Sequence, residues 1–148
     1  MNTNKSLPSR YYYASEIHEK EKRKILYRNW HYAGHESQVI NPGDYLTLQL
    51  GDENLIIIRG NDDQLKGFFN VCRHRAHKLL EGSGSVKSIT CPYHAWNYSR
   101  DGELNHARNA EKMPGFDKSE YCLSGFQVTT ICEFIFVNLD KNATSLNE

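Results

Sequence analysis

An all-β fold with one N-terminal helix is the architecture this sequence predicts, and three observations predict it. Leu46, Leu48 and Leu50 alternate with Thr47 and Gln49, the period of a half-buried strand. Two further apolar runs, Leu55–Arg59 and Leu65–Val71, are set off by Gly51-Asp52-Glu53-Asn54 and Gly60-Asn61-Asp62-Asp63. Short strands joined by Gly/Asp/Asn turns read as an antiparallel meander. A β-branched and aromatic run, Gly125–Leu139, closes the chain's ordered part, with Glu133 as its break.

The helix is placed at Ser15 to about Trp30. Ser15 stands at its cap, Glu16 and Glu19 in its first turn, and Lys22, Arg23 and Lys24 further on, the order the helix dipole favours. Ile17, Ile25, Leu26 and Trp30 share one face, and the charges between them form a solvated face. Residues 1–10 are polar and expected to be flexible, and 141–148 form a polar tail. Residues 102–124 show little periodicity and read as loop.

The 148 residues suit one domain spanning 11–140. Formal net charge is zero, so bulk electrostatics point to neither a nucleic acid nor a membrane surface. Apolar runs such as Leu55–Ile58 are far too short to cross a bilayer, and the start Met-Asn-Thr-Asn-Lys-Ser lacks a signal peptide's apolar stretch. A cytoplasmic location is expected, where cysteines are more often metal ligands or core fillers than disulfides. The Asn-X-Ser/Thr sequons at Asn97 and Asn142 are then chance matches.

The chemistry lies in two short motifs. Cys72-Arg73-His74 is a Cys-x-His, Cys91-Pro92-Tyr93-His94 a Cys-x-x-His, and sixteen residues separate His74 from Cys91. Each follows an apparent strand, Phe68–Val71 or Ser88–Thr90, so each is placed on a loop at a strand end. Two such loops side by side make a four-ligand cage. Two thiolates suit one iron of a [2Fe–2S] cluster, and two imidazoles replace thiolates on the other. Imidazole ligation removes two negative charges relative to an all-thiolate cluster, so an electron enters more easily and the reduction potential rises. Structural zinc also takes two Cys and two His, usually as a Cys pair followed by a His pair. Here each pair is mixed.

At Cys72-Arg73-His74-Arg75-Ala76-His77 and Cys91-Pro92-Tyr93-His94-Ala95-Trp96 the chain resembles the Rieske [2Fe–2S] family. The resemblance implies one cluster with Cys72 and Cys91 on one iron and His74 and His94 on the other. It implies a Rieske-type antiparallel β-sandwich with a small cluster-binding subdomain at about residues 70–100. Members in respiratory and photosynthetic cytochrome complexes carry an extra disulfide between the ligand loops. The corresponding positions here are His77 and Tyr93, so that pairing is excluded. The likeness is instead to the N-terminal domain of the large subunit of Rieske non-haem iron oxygenases. Asn29-Trp30, Pro42-Gly43-Asp44-Tyr45 and Phe134-Ile135-Phe136-Val137-Asn138-Leu139 add to it, and it covers about residues 8–140. Many members have Gly where Ala76 and Ala95 stand, and Ala restricts the backbone there.

The resemblance implies one-electron relay, with a reductase or ferredoxin as donor and a mononuclear-iron oxygenase domain as acceptor, and possible homo-oligomers. The catalytic domain with its two-histidine, one-carboxylate iron is not visible in these residues, so catalysis by the chain alone is not expected. A stand-alone Rieske ferredoxin is the alternative, and a zinc-stabilised interaction module a third reading. His18, His31, His35, His77 and His106 form no convincing second metal site; His31 and His35 read as surface or packing residues. Arg73, Arg75, His77 and Lys78 form a basic rim, either a solvated loop or a docking patch. Trp96 is placed to shield the cluster, and the Tyr98 hydroxyl to reach a sulfur or a backbone group. Cys122 and Cys132 read as reduced core cysteines.

Overall fold

The computed structural model describes residues 6–146. Residues 1–5 of the expected flexible start and 147–148 of the tail lie outside the described residues. Within the rest of that start, Ser9–Tyr12 forms a 3-10 turn.

Helix α1 covers Ser15–Lys24 and stops well short of Trp30. Ile25 leaves helical geometry at φ −122°, and Leu26–Arg28 forms a separate 3-10 turn. The Asn29 side-chain amide donates to the Ile25 carbonyl at 2.7 Å and fixes that break. Ser15 is the first helical residue and not the cap; Ala14 is the cap and makes no side-chain bond. The expected apolar face largely fails, since Ile25 is exposed and only Leu26 packs on the core. The charged face has one exception: Lys22 is buried and ion-paired to Glu19 and to Asp52 of the first β-turn. The Tyr27 hydroxyl accepts from the Asp52 amide at 3.1 Å, so two contacts fasten the helical segment to that turn.

Ten strands follow among the described residues: β1 (His31–His35), β2 (Asp44–Leu50), β3 (Glu53–Arg59), β4 (Leu65–Phe69), β5 (Ser83–Ser85), β6 (Ile89–Thr90), β7 (Asn97–Tyr98), β8 (Leu104–His106), β9 (Gly125–Ile131) and β10 (Phe134–Asn138). They build a seven-stranded antiparallel sheet in the order β1-β10-β9-β4-β3-β2-β5 and a three-stranded sheet β6-β7-β8. The larger sheet curls into a sandwich: Leu46, Leu50, Leu55 and Ile57 of one half pack against Phe126, Ile135 and Val137 of the other. The halves join where β4 meets β9 through Gly67↔Phe126 and Phe68↔Gly125. A Cβ on Gly67 would stand 2.3 Å from the Phe126 ring, so only glycine permits that approach.

Strand β3 is the wall between two cores. Its run Leu55-Ile56-Ile57-Ile58 is fully buried, and side chains on a strand alternate faces. Leu55 and Ile57 enter the sandwich core. Ile56 and Ile58 enter a second core with Cys72, Cys91, Trp96 and Tyr98. A continuous apolar run is what a strand buried on both faces requires, and it ties the small sheet and the two motif loops to the sandwich.

Residues 102–124, expected as loop, contain β8 and a 3-10 turn at Lys118–Tyr121. His31 and His35 stand in strand β1, not on a helix; His31 Nε2 bonds the Leu26 carbonyl at 2.6 Å and His35 Nδ1 lies 2.9 Å from Ser37 Oγ. Of the spare cysteines, both are free as expected, but Cys132 is exposed and Cys122 half-buried, so neither is a core filler. Cys132 and Glu133 have positive φ and form the turn between β9 and β10, which confirms the break and explains the exposure.

Candidate metal centre

The two motif loops are built on one plan. In the first, the Cys72 amide donates to the His77 carbonyl at 2.8 Å and the Ala76 amide to the Cys72 carbonyl at 3.0 Å. In the second, the Cys91 amide donates to the Trp96 carbonyl at 2.8 Å and the Ala95 amide to the Cys91 carbonyl at 3.0 Å. Both turns close through an alanine in the left-handed region, Ala76 at φ 54° and Ala95 at φ 58°. A Cβ costs about 1–2 kcal/mol in that conformation, so the restriction expected at these two positions is real.

The loops grow from different bases. Asn70, buried at the end of β4, accepts from the Leu79 and Leu80 amides at 3.0 and 2.9 Å and donates to the Leu80 carbonyl at 2.7 Å. It closes the first loop's neck. The second loop spans the β6–β7 hairpin, where Asn97 Nδ2 donates to Ser88 Oγ at 2.7 Å and Thr90 Oγ1 at 2.8 Å. Neither asparagine was singled out as a site residue from the sequence. Asn70 follows a strand before its ligand loop and Asn97 opens a strand after its own, each with partners seven to ten residues away, and a polar residue at a strand end flanking a ligand loop is the signal that would have found them.

The structure brings the four candidate residues together in two pairs, Cys72 beside Cys91 and His74 beside His94. Cys72 and Cys91 are buried. The His74 and His94 rings have centroids 4.8 Å apart, with His74 exposed and His94 half-buried. The Tyr98 hydroxyl lies 3.3 Å from Cys72 Sγ, as expected, and its oxygen also accepts from the Arg73 amide at 3.1 Å. Its own proton is therefore available to the sulfur. Burial, and the bond to Cys72, push the Tyr98 hydroxyl's pKa up, which keeps that proton in place. Burial also pushes the Cys72 thiol up, the Tyr98 bond opposes this, and the neighbouring Cys91 adds to the rise. Desolvation, then His94 and Arg75 as like-charged neighbours, lower the His74 pKa. The neutral imidazole is the form that ligates a metal.

Aromatic rings wall the site. Trp96 stacks on His74 with centroids 4.8 Å apart and planes at 7°, and its edge contacts run on to Phe116 and Tyr121. Tyr93 covers His94 at 3.8 Å and reaches His77 of the first loop at 5.6 Å. His77 and Tyr93 thus face each other across the loops as a ring pair.

The donor set fits a binuclear cluster. His94 Nδ1 is buried with no hydrogen-bond partner, an orphaned acceptor of the kind a metal satisfies. Among the described residues no three His, Cys, Asp or Glu side chains converge to hold one ion. Structural zinc needs four ligands around one centre, whereas a [2Fe–2S] cluster divides them two and two.

A profile of the Rieske [2Fe-2S] domain matches residues 29–117. The chain belongs to the Rieske [2Fe–2S] domain family. It is 42% identical over 144 residues to the carnitine monooxygenase oxygenase subunit of Acinetobacter baumannii, covering 97% of this chain and 39% of that protein. It is 34% identical over 140 residues to the benzene 1,2-dioxygenase subunit alpha of Pseudomonas putida, covering 93% and 31%. Among solved structures, the quaternary ammonium Rieske monooxygenase CntA in complex with L-carnitine superposes with TM-score 0.89 at 42% identity, over 95% of this chain and 40% of that one. A naphthalene 1,2-dioxygenase superposes with TM-score 0.83 at 32% identity, over 89% and 30%. The chain therefore spans about two fifths of the length of the first of these relatives. One Rieske domain carries one [2Fe–2S] cluster, and electron relay is its function in oxygenase subunits. Among the described residues no helix is long and apolar enough to cross a membrane.

Proposed function

We propose that Cys72, His74, Cys91 and His94 hold the [2Fe–2S] cluster, sulfurs on one iron and imidazoles on the other, within an oxygenase whose substrate is a quaternary amine of the carnitine type. The observation that carries the ligand set is the matched pair of loop frames, which delivers one Cys and one His from each side. The cluster, when bound, supplies one-electron storage at a potential raised by its imidazole ligands. The chain's own residues exclude water with Trp96, hold the Cys72 sulfur with the Tyr98 hydroxyl, and leave His74 at the surface as the exit. A reductase or ferredoxin in the cytoplasm feeds the site. The acceptor is a mononuclear-iron domain in a homo-oligomer, a reading supported by the inter-subunit electron transfer of a quaternary ammonium Rieske monooxygenase that superposes on this chain with TM-score 0.90 at 42% identity. The quaternary amine is supported by the 42% identity to the carnitine enzyme against 34% to the benzene enzyme.

The chain reconstituted with iron and sulfide is expected to absorb visible light, to hold two irons and two sulfides, and to take up one electron reversibly. Reduction adds negative charge beside the imidazoles and raises their pKa. The midpoint potential is thus flat at low pH and falls once the oxidised-state imidazoles deprotonate. A colourless, zinc-filled chain overturns the cluster assignment. An oxygenase carrying this domain that consumes oxygen with benzene and not with L-carnitine overturns the substrate class.

A further inference from the structure

One cleft shares no residue with the ligand loops. It is formed by the first 3-10 turn and helix α1 and measures about 370 Å³, within the roughly 300–1,000 Å³ of small-molecule sites. Tyr11, Tyr12 and Tyr13 line it together with His18 and Glu21 of the helix. The local fold explains the grouping. The Tyr13 and Ala14 amides both donate to the Arg10 carbonyl, at 3.4 and 3.0 Å, which brings the tyrosines against the first turns of α1. Ala14, His18 and Glu21 then follow at i, i+4 and i+7, the spacing of one helix face. Tyr12 and Tyr13 are 69% and 78% exposed. Their rings, and the His18 and Glu21 side chains, have no partner among the described residues. Tyr11 has one: the Arg10 guanidinium stands 5.4 Å over its ring, so this ring already attracts a cation. No Lys or Arg lines the cleft, and Glu21 is its carboxylate.

Three aromatic rings beside a free carboxylate match one ligand chemistry. A quaternary ammonium has no N–H to donate, and its charge is spread over its methyl groups. Ring faces attract it, and a carboxylate adds to the attraction without a hydrogen bond. We propose that Tyr11, Tyr12, Tyr13 and Glu21 bind the trimethylammonium group of a small quaternary amine. The inference deepens the substrate reading above and rests on it for the identity of the ligand alone. The domain then carries a recognition site for the oxygenase's substrate as well as its redox group.

The test is titration of the cluster-loaded chain, its tyrosine rings labelled with 13C, followed by NMR. The probes are tetramethylammonium, L-carnitine and the uncharged near-isostere neopentyl alcohol. Both ammonium compounds are expected to shift the Tyr11, Tyr12 and Tyr13 signals with dissociation constants on the order of millimolar, and the alcohol is not. Tyr12→Ala and Tyr13→Ala each weaken binding about two- to fivefold, and Glu21→Gln about two- to threefold. Tyr32→Ala, which removes an exposed ring from β1, leaves it unchanged. Absence of shifts, equal binding of the alcohol, or equal weakening by Tyr32→Ala overturns the proposal. A trimethyllysine peptide that binds where the small compounds do not assigns the cleft to a protein ligand and also overturns it. Visible absorbance of the same samples reports the cluster, so misfolding is not mistaken for loss of the site. The readout involves no turnover. An oxygenase carrying this domain that does not use L-carnitine, while tetramethylammonium still shifts these tyrosines, overturns the substrate reading and supports the site; turnover of L-carnitine without the shifts overturns the site alone.

Discussion

The two ligand loops share a backbone and differ in almost everything attached to it. Each runs from a buried Cys through a His to an alanine at positive φ, with the same two hydrogen bonds closing it. Yet the His follows its Cys by two residues in one loop and by three in the other. Only Cys72 is within reach of the Tyr98 hydroxyl. His74 carries the Trp96 stack, and His94 the tilted Tyr93 ring. The frame is therefore what places four donors, and the side chains around it are what make the donors unequal.

The frame claim predicts symmetric, total losses. Cys72→Ser and Cys91→Ser each abolish the visible spectrum, because a hydroxyl is a poor replacement for a cluster thiolate. A coloured, redox-active Cys91→Ser chain would remove that residue from the ligand set.

The loop bases are expected to be unequal. Asn70→Ala strands the Leu79 and Leu80 backbone groups that Asn70 satisfies, and unmet buried groups cost about 1–3 kcal/mol each. A loss of about 2–4 kcal/mol in denaturant unfolding is expected. Asn97→Ala breaks bonds to two hydroxyls next to a paired hairpin and costs about 1 kcal/mol. Equal costs would show that the hairpin gives the second loop no independent support.

The sulfurs differ by one hydrogen bond. Tyr98→Phe removes the donor to Cys72 alone. If that bond strengthens by about 1 kcal/mol on reduction, the midpoint potential falls by about 40 mV, at about 59 mV per tenfold for one electron. Protein-film voltammetry reads this directly, and an unchanged potential would mean the hydroxyl serves only the Arg73 amide.

The smallest effects return to the shared frame. Ala76→Gly and Ala95→Gly each relieve a left-handed alanine and, net of glycine's entropy, stabilise by roughly 0.5–1 kcal/mol. Thermal unfolding should show similar gains at both sites, and a gain at one alone would break the symmetry.

The strands and the two motif loops were legible for the same reason: their signals are local. Leu55–Ile58 announces a strand, and Cys-x-His announces a ligand loop, without knowledge of the rest of the chain. The Rieske-like spacing also gave the family and the relation of His77 to Tyr93. What was not legible depends on distant partners. Helix α1 ends at Lys24 because Asn29 caps Ile25 and because Lys22 and Tyr27 are drawn to Asp52, a contact thirty residues away for Lys22. Asn70 reads as an ordinary strand end until Leu79 and Leu80 return to it. Residues 104–121 carry no period, because their order comes from Trp96 packing on Phe116 and Tyr121 and from Glu111 held by the Ala107 amide and Lys118.

Two sulfurs and two nitrogens on a binuclear centre is the central claim, and nitrogen hyperfine coupling tests it most directly. Electron–nuclear double resonance on the reduced chain, grown with 15N-labelled histidine, is predicted to show two distinct 15N couplings. They should be unequal, because His74 is exposed and stacked on Trp96 while His94 is half-buried under Tyr93. His74→Ala or His94→Ala should abolish the paired signal. A reduced cluster with no histidine coupling, or with one, would contradict the account.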